Sequence, residues 1–197
     1  MPTPDLKNFR LVHPRIGLGG VLAELERNEL AWKITTSRQD AFYCQRETEA
    51  IYLRRGIPEP GIHDTDCQLA ADSVAAAYFP RTMAWLLSTA TILGGELARV
   101  AFARIRPHGQ VYRHIDTGSY YACRRRYHLV VKSPGGSPMG CGDEAVVMRE
   151  GELWEFDNKK PHDAQNPSDQ PRVHLIFDLG ALQATPHGER GSSAASA

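Results

Sequence analysis

The 197-residue sequence has no excess of either charge, because 23 Lys and Arg residues balance 23 Asp and Glu residues. A dedicated nucleic-acid-binding protein normally carries a basic excess, so this balance predicts no nucleic-acid partner. The longest uncharged run, residues 82–95, has 14 residues, whereas a membrane-spanning helix needs about 20. We therefore expect a soluble protein with no membrane partner.

Cysteine is also scarce, and its spacing excludes two kinds of site. The four cysteines lie at positions 44, 67, 123 and 141, and no two of them form the CxxC pair that is typical of zinc motifs. Such sparse cysteines do not form a dense disulfide scaffold. The first residues also lack the cationic and apolar stretches of a secretory signal. Reduced thiols and a cytoplasmic location are the expectation.

The apolar residues are numerous enough for one sizeable core, since 42% of the chain is hydrophobic and 23% is charged. This length is typical of one domain, and we expect a single domain over residues 1–184. Its first part, about 1–95, mixes helix and short strands, and its second part, about 96–182, is rich in strands. The small and polar residues at 185–197 predict a disordered tail.

Two amphipathic helices are predicted in the first part. The first covers Val21–Leu30, after a Gly-rich turn. The second begins with Pro80 in its first turn and ends at Gly94 and Gly95. Its buried face is predicted to carry Met83, Leu86, Leu87, Ala90 and Leu93.

After Gly95 the apolar pattern changes to a period of two, which is typical of strands. Many short strands separated by Gly, Pro and Asn turns indicate a mainly β sandwich or jelly roll with helices packed outside. The predicted strands cover residues 48–53, 96–106, 110–116, 125–132, 145–148, 153–156 and 172–179.

His114 and Asp116 are the first candidate site residues. Residues i and i+2 of a strand point to the same face, so the imidazole and the carboxylate are expected to converge. Two histidines and one carboxylate with open coordination positions form the ligand set of non-haem Fe(II) oxygenases. A surface His and Asp in a turn is the alternative.

Three further residues can complete such a site. His162 is separated from His114 by enough chain for a hairpin to bring them together, although a histidine after a turn is often solvated. Arg172 lies on a strand face with His174, Ile176 and Asp178, and a buried guanidinium requires an anion. Glu155 is the alternative, structural partner for Arg172. His128 lies on another strand and is either a site residue or a core histidine.

Four segments, taken in order, resemble the aspartyl/asparaginyl β-hydroxylase family of Fe(II)/2-oxoglutarate dioxygenases. The resemblance covers about residues 97–180, and the ordering is more specific than the HxD string alone. The segments are RPHGQVYRHID (106–116), RYHL (126–129), FDNKKPH (156–162) and RVHLIFD (172–178).

The resemblance implies a double-stranded β-helix, which is a cupin-like jelly roll. It implies that His114, Asp116 and His162 are the catalytic iron ligands, that Arg172 binds the distal carboxylate of 2-oxoglutarate, and that His128 is a second cosubstrate contact. The cofactors would be Fe(II), 2-oxoglutarate and O2. The reaction would hydroxylate an unactivated C–H bond of an amino acid or of an aspartyl or asparaginyl residue, releasing succinate and CO2.

One difference narrows the resemblance. Animal members lack a carboxylate at the third ligand position, whereas this chain has Asp116, so it resembles the compact bacterial members. Relatives with the complete triad include hydroxylases of free amino acids such as proline. The substrate is therefore expected to be a small amino acid or a side chain of a peptide or protein.

The basic residues Arg126, Arg124 and Arg54 are candidate contacts for a carboxylate-bearing substrate, with a solvated charge cluster as the alternative. Three other functions remain open at this stage. They are hydroxylation of another small carboxylate-bearing metabolite, hydrolysis or isomerisation with the metal as a Lewis acid, and non-catalytic binding of a small acid by a cupin-like module.

Overall fold

Strands dominate the computed structural model, which describes residues 6–34, 40 and 42–182. The predicted disordered tail, residues 185–197, lies outside the described residues. The strands are β1 (Phe9–His13), β2 (Thr48–Gly56), β3 (Ala70–Asp72), β4 (Glu96–Ile105), β5 (Gln110–His114), β6 (Arg125–Lys132), β7 (Ser137–Cys141), β8 (Glu144–Met148), β9 (Leu153–Phe156), β10 (His162–Gln165) and β11 (Arg172–Gly180). The α-helices are α1 (Gly19–Arg27), α2 (Pro80–Ile92) and α3 (Ser119–Ala122). Short 3₁₀ helices cover Glu29–Lys33, Tyr43–Gln45, Asp64–Asp66 and Val74–Tyr78.

The strands form two antiparallel sheets. The larger sheet has seven strands in the order β1-β9-β6-β11-β4-β2-β3, and the smaller has four in the order β5-β10-β7-β8. Chain neighbours such as β4 and β5 lie in different sheets, as a rolled arrangement requires. This is the mainly β, jelly-roll type of double-stranded β-helix that the sequence predicts.

Two apolar clusters use the two faces of the larger sheet. Val173, Leu175 and Phe177 of β11 pack into the cluster that includes buried residues of α1 and α2. The opposite face of the sheet contributes Val130 and Phe156 to a second cluster, shared with the smaller sheet. Full burial of each large apolar side chain stabilises the fold by about 1.5–3 kcal/mol. The alternation predicted for β11 is confirmed.

The helices follow the prediction in place but not in every boundary. Helix α1 ends at Arg27 rather than Leu30, because the Asn28 side chain bonds the carbonyl of Glu24 at 2.9 Å and the chain continues as a 3₁₀ turn. The buried Glu24 carboxylate in turn accepts bonds from the first turn of α2, at Arg81 N (2.7 Å) and Thr82 N (2.9 Å). The prediction that Leu87 lies on the buried face of α2 is wrong, because this side chain is 52% exposed.

Several other elements differ from the prediction. Strand β5 ends at His114, so Asp116 lies beyond the strand that was predicted to carry it. Strands β7 and β10 and the short helix α3 were not predicted, because the sequence around β7 and β10 is rich in turn-forming residues. Among the described residues, no helix has the length and apolar character that a membrane crossing requires.

Candidate active site

His114, Asp116 and His162 come together in the structure. His114 ends β5 and His162 begins β10, and these two residues are directly paired in the antiparallel ladder. The backbone N–H of Asp116 donates to the carbonyl of Asn158 at 3.1 Å, which brings the carboxylate to the histidine pair. One ligand atom from each of the three residues lies within 4.8 Å of the others.

Both histidines are oriented by backbone carbonyls. The Nδ1 atom of His114 lies 2.8 Å from the carbonyl oxygen of Tyr112, and the Nδ1 atom of His162 lies 2.9 Å from that of Lys160. Because a carbonyl only accepts, we assign the imidazole proton to Nδ1 in each ring. Each Nε2 lone pair is therefore available to a metal, and this carbonyl support is typical of metal-binding histidines.

The Asp116 carboxylate is bound through one of its two oxygens. Its Oδ2 accepts from Arg126 Nη1 at 2.5 Å and from Asn158 Nδ2 at 2.9 Å. Its Oδ1 lies 3.7 Å from His114 Nε2. Oδ2 lies 3.8 Å from His162 Nε2. Because Oδ2 already accepts two hydrogen bonds, Oδ1 is the oxygen with more lone-pair capacity for an ion.

The pKa values of His162 and Asp116 suit metal binding at neutral pH. Burial, which outweighs the attraction of Asp116, lowers the pKa of His162 to about 4. Burial acts to raise the pKa of Asp116, but Arg126 and His162 outweigh it and hold that pKa below its usual value. Two imidazoles and an ionised carboxylate are the donor set that non-haem Fe(II) sites use. The residues present therefore fit an Fe(II) ion.

A cavity opens beside this triad. Most of its wall is apolar, with several polar side chains among the lining residues. The lining includes His114, His162, His128, Arg172, His174 and Phe156. Binding sites for small molecules have this character, with an apolar wall and a few placed polar groups.

Arg172 supplies a buried positive charge to the cavity. It is 3% exposed, and its guanidinium contacts His174 and, at 3.5 Å, the carbonyl of Gln165. Within the described part of the chain, no carboxylate forms an ion pair with it. The alternative partner, Glu155, is bound by Arg10 instead. Burial lowers the pKa of Arg172 to about 9, so the group remains charged at neutral pH.

The three arginines expected at the substrate have partners within the protein. Arg126 binds both carboxylate oxygens of Asp178, at 2.8 and 2.9 Å, in addition to Asp116. Arg124 binds the carbonyl and side-chain oxygens of Gln68 at 2.6 and 2.7 Å. Arg54 binds Asp72 at 2.6 Å and two backbone carbonyls. These contacts favour structural roles, and a substrate contact by any of the three stays a prediction.

Three residues of the site were quoted in the sequence motifs without a role. Asn158, 1% exposed, holds Asp116, and Asp178, 2% exposed, anchors Arg126. His174 lies between Arg172 and His128, with the Nδ1 atoms of the two histidines 3.2 Å apart. The sequence contained a signal for each of them: His174 and Asp178 share a strand face with Arg172, and Asn158 belongs to the FDN string. These signals identify neighbours of the site but not their hydrogen-bond partners.

A family model described as aspartyl/asparaginyl β-hydroxylase matches residues 48–181. The match covers more than half of the chain, which therefore belongs to this family. The chain is thus a hydroxylase of the dioxygenase type, and the class of enzyme predicted from the sequence is confirmed. The comparison with curated proteins finds no match.

Solved structures show the same fold at low sequence identity. A prolyl-4-hydroxylase from Pseudomonas putida is 15% identical, with a TM-score of 0.53, over 89% of this chain and 94% of that one. A prolyl hydroxylase from Trichoplax adhaerens, in complex with a hypoxia inducible factor peptide fragment, is 16% identical, with a TM-score of 0.51, over 88% and 83%. A 2OG-Fe(II) oxygenase family protein from Burkholderia pseudomallei is 9% identical, with a TM-score of 0.51, over 80% and 78%.

Proposed function

We propose that this hydroxylase uses Fe(II), 2-oxoglutarate and O2 to hydroxylate an unactivated C–H bond of an amino acid or of an aspartyl or asparaginyl residue. One observation carries the proposal. The cavity that presents His114, His162 and the adjacent Asp116 also contains Arg172, a buried guanidinium with no ion-pair partner among the described residues. A metal triad and an unmatched cation in one cavity suit a metal ion together with a dicarboxylic acid.

Each residue has a defined task in this reaction. His114 and His162 would bind Fe(II) through Nε2, and Asp116 through Oδ1. Arg172 would bind the distal carboxylate of 2-oxoglutarate, and His128 would be a second contact for the same molecule. When bound, the cofactors supply the oxidation: one oxygen atom of O2 enters the substrate C–H bond and the other enters succinate, while 2-oxoglutarate loses CO2.

An amino-acid side chain is the substrate class that the comparisons favour. The family takes its name from aspartyl and asparaginyl hydroxylation. The similar structures from Pseudomonas and Trichoplax are both described as prolyl hydroxylases, one of them with a bound peptide fragment. Free amino acids and short peptides containing Asp, Asn or Pro are therefore the first compounds to examine.

Succinate release tests the proposal directly. We expect the wild-type protein to convert 2-oxoglutarate to succinate only with added Fe(II) and O2, and faster with a suitable amino acid or peptide. His162→Ala is expected to abolish this turnover while the protein remains folded, because it removes one of the three ligands. His13→Ala is the matched control, since this exposed histidine lies on β1, away from the cavity.

Two results would contradict the proposal. One is turnover with zinc and without 2-oxoglutarate, which would indicate a hydrolase or isomerase that uses the metal as a Lewis acid. The other is the absence of Fe(II) binding by the folded protein. Activity in His162→Ala equal to that of His13→Ala would show that the ligands are assigned wrongly.

A further inference from the structure

His174 forms the closest polar contact of the Arg172 guanidinium. Both side chains are 3% exposed and lie on the same face of β11. Arg172 Nε donates to His174 Nε2 at 3.1 Å, whereas the terminal Nη atoms make only contacts of 3.5 Å. The guanidinium is therefore held through its inner nitrogen, and its two outer nitrogens are the less firmly bonded donors.

The bond from Arg172 defines the state of the His174 ring. An imidazole can accept at Nε2 only when that nitrogen carries no proton, so the ring is neutral with its proton on Nδ1. Burial and the nearby charge of Arg172 hold the pKa of His174 well below its usual value, which agrees with a neutral ring. Nδ1 then points its proton toward Nδ1 of His128, 3.2 Å away on β6.

We infer that His174 is a positioning residue that fixes the plane of the Arg172 guanidinium, so that both outer nitrogens face the distal carboxylate of 2-oxoglutarate. The inference rests on the proposed function and extends it to a cavity residue to which the proposed function assigns no contact with the metal or the cosubstrate. A planar guanidinium binds a carboxylate most strongly through two parallel hydrogen bonds, which require a defined orientation. Without His174, the arginine remains charged but loses this orientation.

The test compares two ligands that differ only at the end that Arg172 would bind. One is 2-oxoglutarate, and the other is 2-oxopentanoate, which has the same chain length and keto acid but no distal carboxylate. Binding of each to Mn²⁺-loaded protein is measured by calorimetry without O2. The wild-type protein is expected to prefer 2-oxoglutarate. His174→Leu should reduce that preference by about 10–100-fold, the range found when the hydrogen-bond partner that orients a metal ligand is removed.

Two further variants distinguish a positioning role of His174 from a general loss of stability. His174→Gln keeps an acceptor for Arg172 and a donor for His128, so it should retain most of the preference. Leu175→Val is the matched control, because this buried side chain lies on the opposite face of β11 and packs in the other core. It should lower the melting temperature and leave the preference at the wild-type level.

The outcomes distinguish the inference from the function on which it rests. If the wild-type protein binds 2-oxoglutarate but His174→Leu keeps the full preference, His174 does not position Arg172. Equal weakening of both ligands in His174→Leu, or no retention by His174→Gln, also overturns the inference. If the leucine variant does not fold, His174→Phe, which keeps a planar ring but has no acceptor for Arg172 Nε, decides by the same ratio. If the wild-type protein does not bind 2-oxoglutarate, the proposed function itself fails.

Discussion

Which atom of each side chain can bind a metal in this site depends on the hydrogen bonds that the side chain already makes. Asp116 illustrates this, because Arg126 and Asn158 both donate to Oδ2 and leave Oδ1 beside the imidazoles. The two histidines follow the same logic, with Nδ1 bonded to a carbonyl and Nε2 available. Residues that never touch an ion thus decide which lone pairs can reach it.

Asn158 should therefore influence metal binding without being a ligand. We expect Asn158→Leu to weaken binding of Mn²⁺ by about 10–100-fold, because the Asp116 carboxylate loses one of its two supporting donors. Calorimetric titration of the folded variant with Mn²⁺ measures this effect. Asn166→Leu is the control: Asn166 is another buried amide, but it binds the carbonyls of Ile105, Arg106 and Gln170 rather than the triad. Equal metal affinities for the two variants would contradict the role assigned to Asn158.

Strands organise the site through their faces and their pairing. The alternation on β11 was predictable from the sequence. It places Arg172, His174 and Asp178 on the face opposite the apolar residues that pack with helices α1 and α2. Asp178 on β11 binds Arg126 on β6, and Arg126 reaches Asp116 beyond β5. One arginine therefore connects three segments of the chain.

The face of a strand is predictable because it depends on a local period of two. Pairing is not, because it depends on contacts between residues distant in the chain. The prediction that His114 and Asp116 converge assumed a strand that continues to Asp116, but β5 ends at His114. The carboxylate reaches the site through a backbone bond to Asn158 instead. The short β10, which carries His162, follows a Pro- and Lys-rich turn that gave no strand pattern.

Asp178 is the residue whose loss should damage this connection most. We expect Asp178→Asn to lower the free energy of unfolding by about 3–5 kcal/mol, because it leaves the largely buried Arg126 with one carboxylate fewer. Unfolding in urea measures the change. Glu155→Gln is the matched control: it breaks the more exposed pair with Arg10 on neighbouring strands and should cost about 0–1 kcal/mol. Similar losses in both variants would show that the Arg126 connection contributes little.

The folded protein as a whole carries a cost at Arg172 that its ligand would relieve. A buried charge without a counter-ion is unfavourable, and this guanidinium contacts only neutral groups among the described residues. A ligand that binds the native state alone stabilises it by RT ln(1 + [L]/Kd), which is about 2.7 kcal/mol at a concentration of 100 Kd. The charge of Arg172 therefore destabilises the ligand-free protein but is needed to bind the ligand.

Arg172→Met is expected to separate these two demands. Methionine fills much of the same volume without the charge, so the variant should be at least as stable as the wild-type protein when no ligand is present. In the Mn²⁺-loaded proteins, 2-oxoglutarate should raise the melting temperature of the wild type and have little effect on Arg172→Met, because the distal carboxylate has lost its partner. Thermal unfolding with and without 2-oxoglutarate measures both effects.

The matched control for this prediction is Arg104→Met. Arg104 is another largely buried arginine, but it is paired with Glu29 and Glu49 on the far side of β4. Its replacement removes favourable ion pairs, so it should bring no gain in stability, and the response to 2-oxoglutarate should remain that of the wild type. A large loss of stability in ligand-free Arg172→Met would mean that the guanidinium is already well compensated within the protein. Its buried charge would then no longer indicate an anionic ligand.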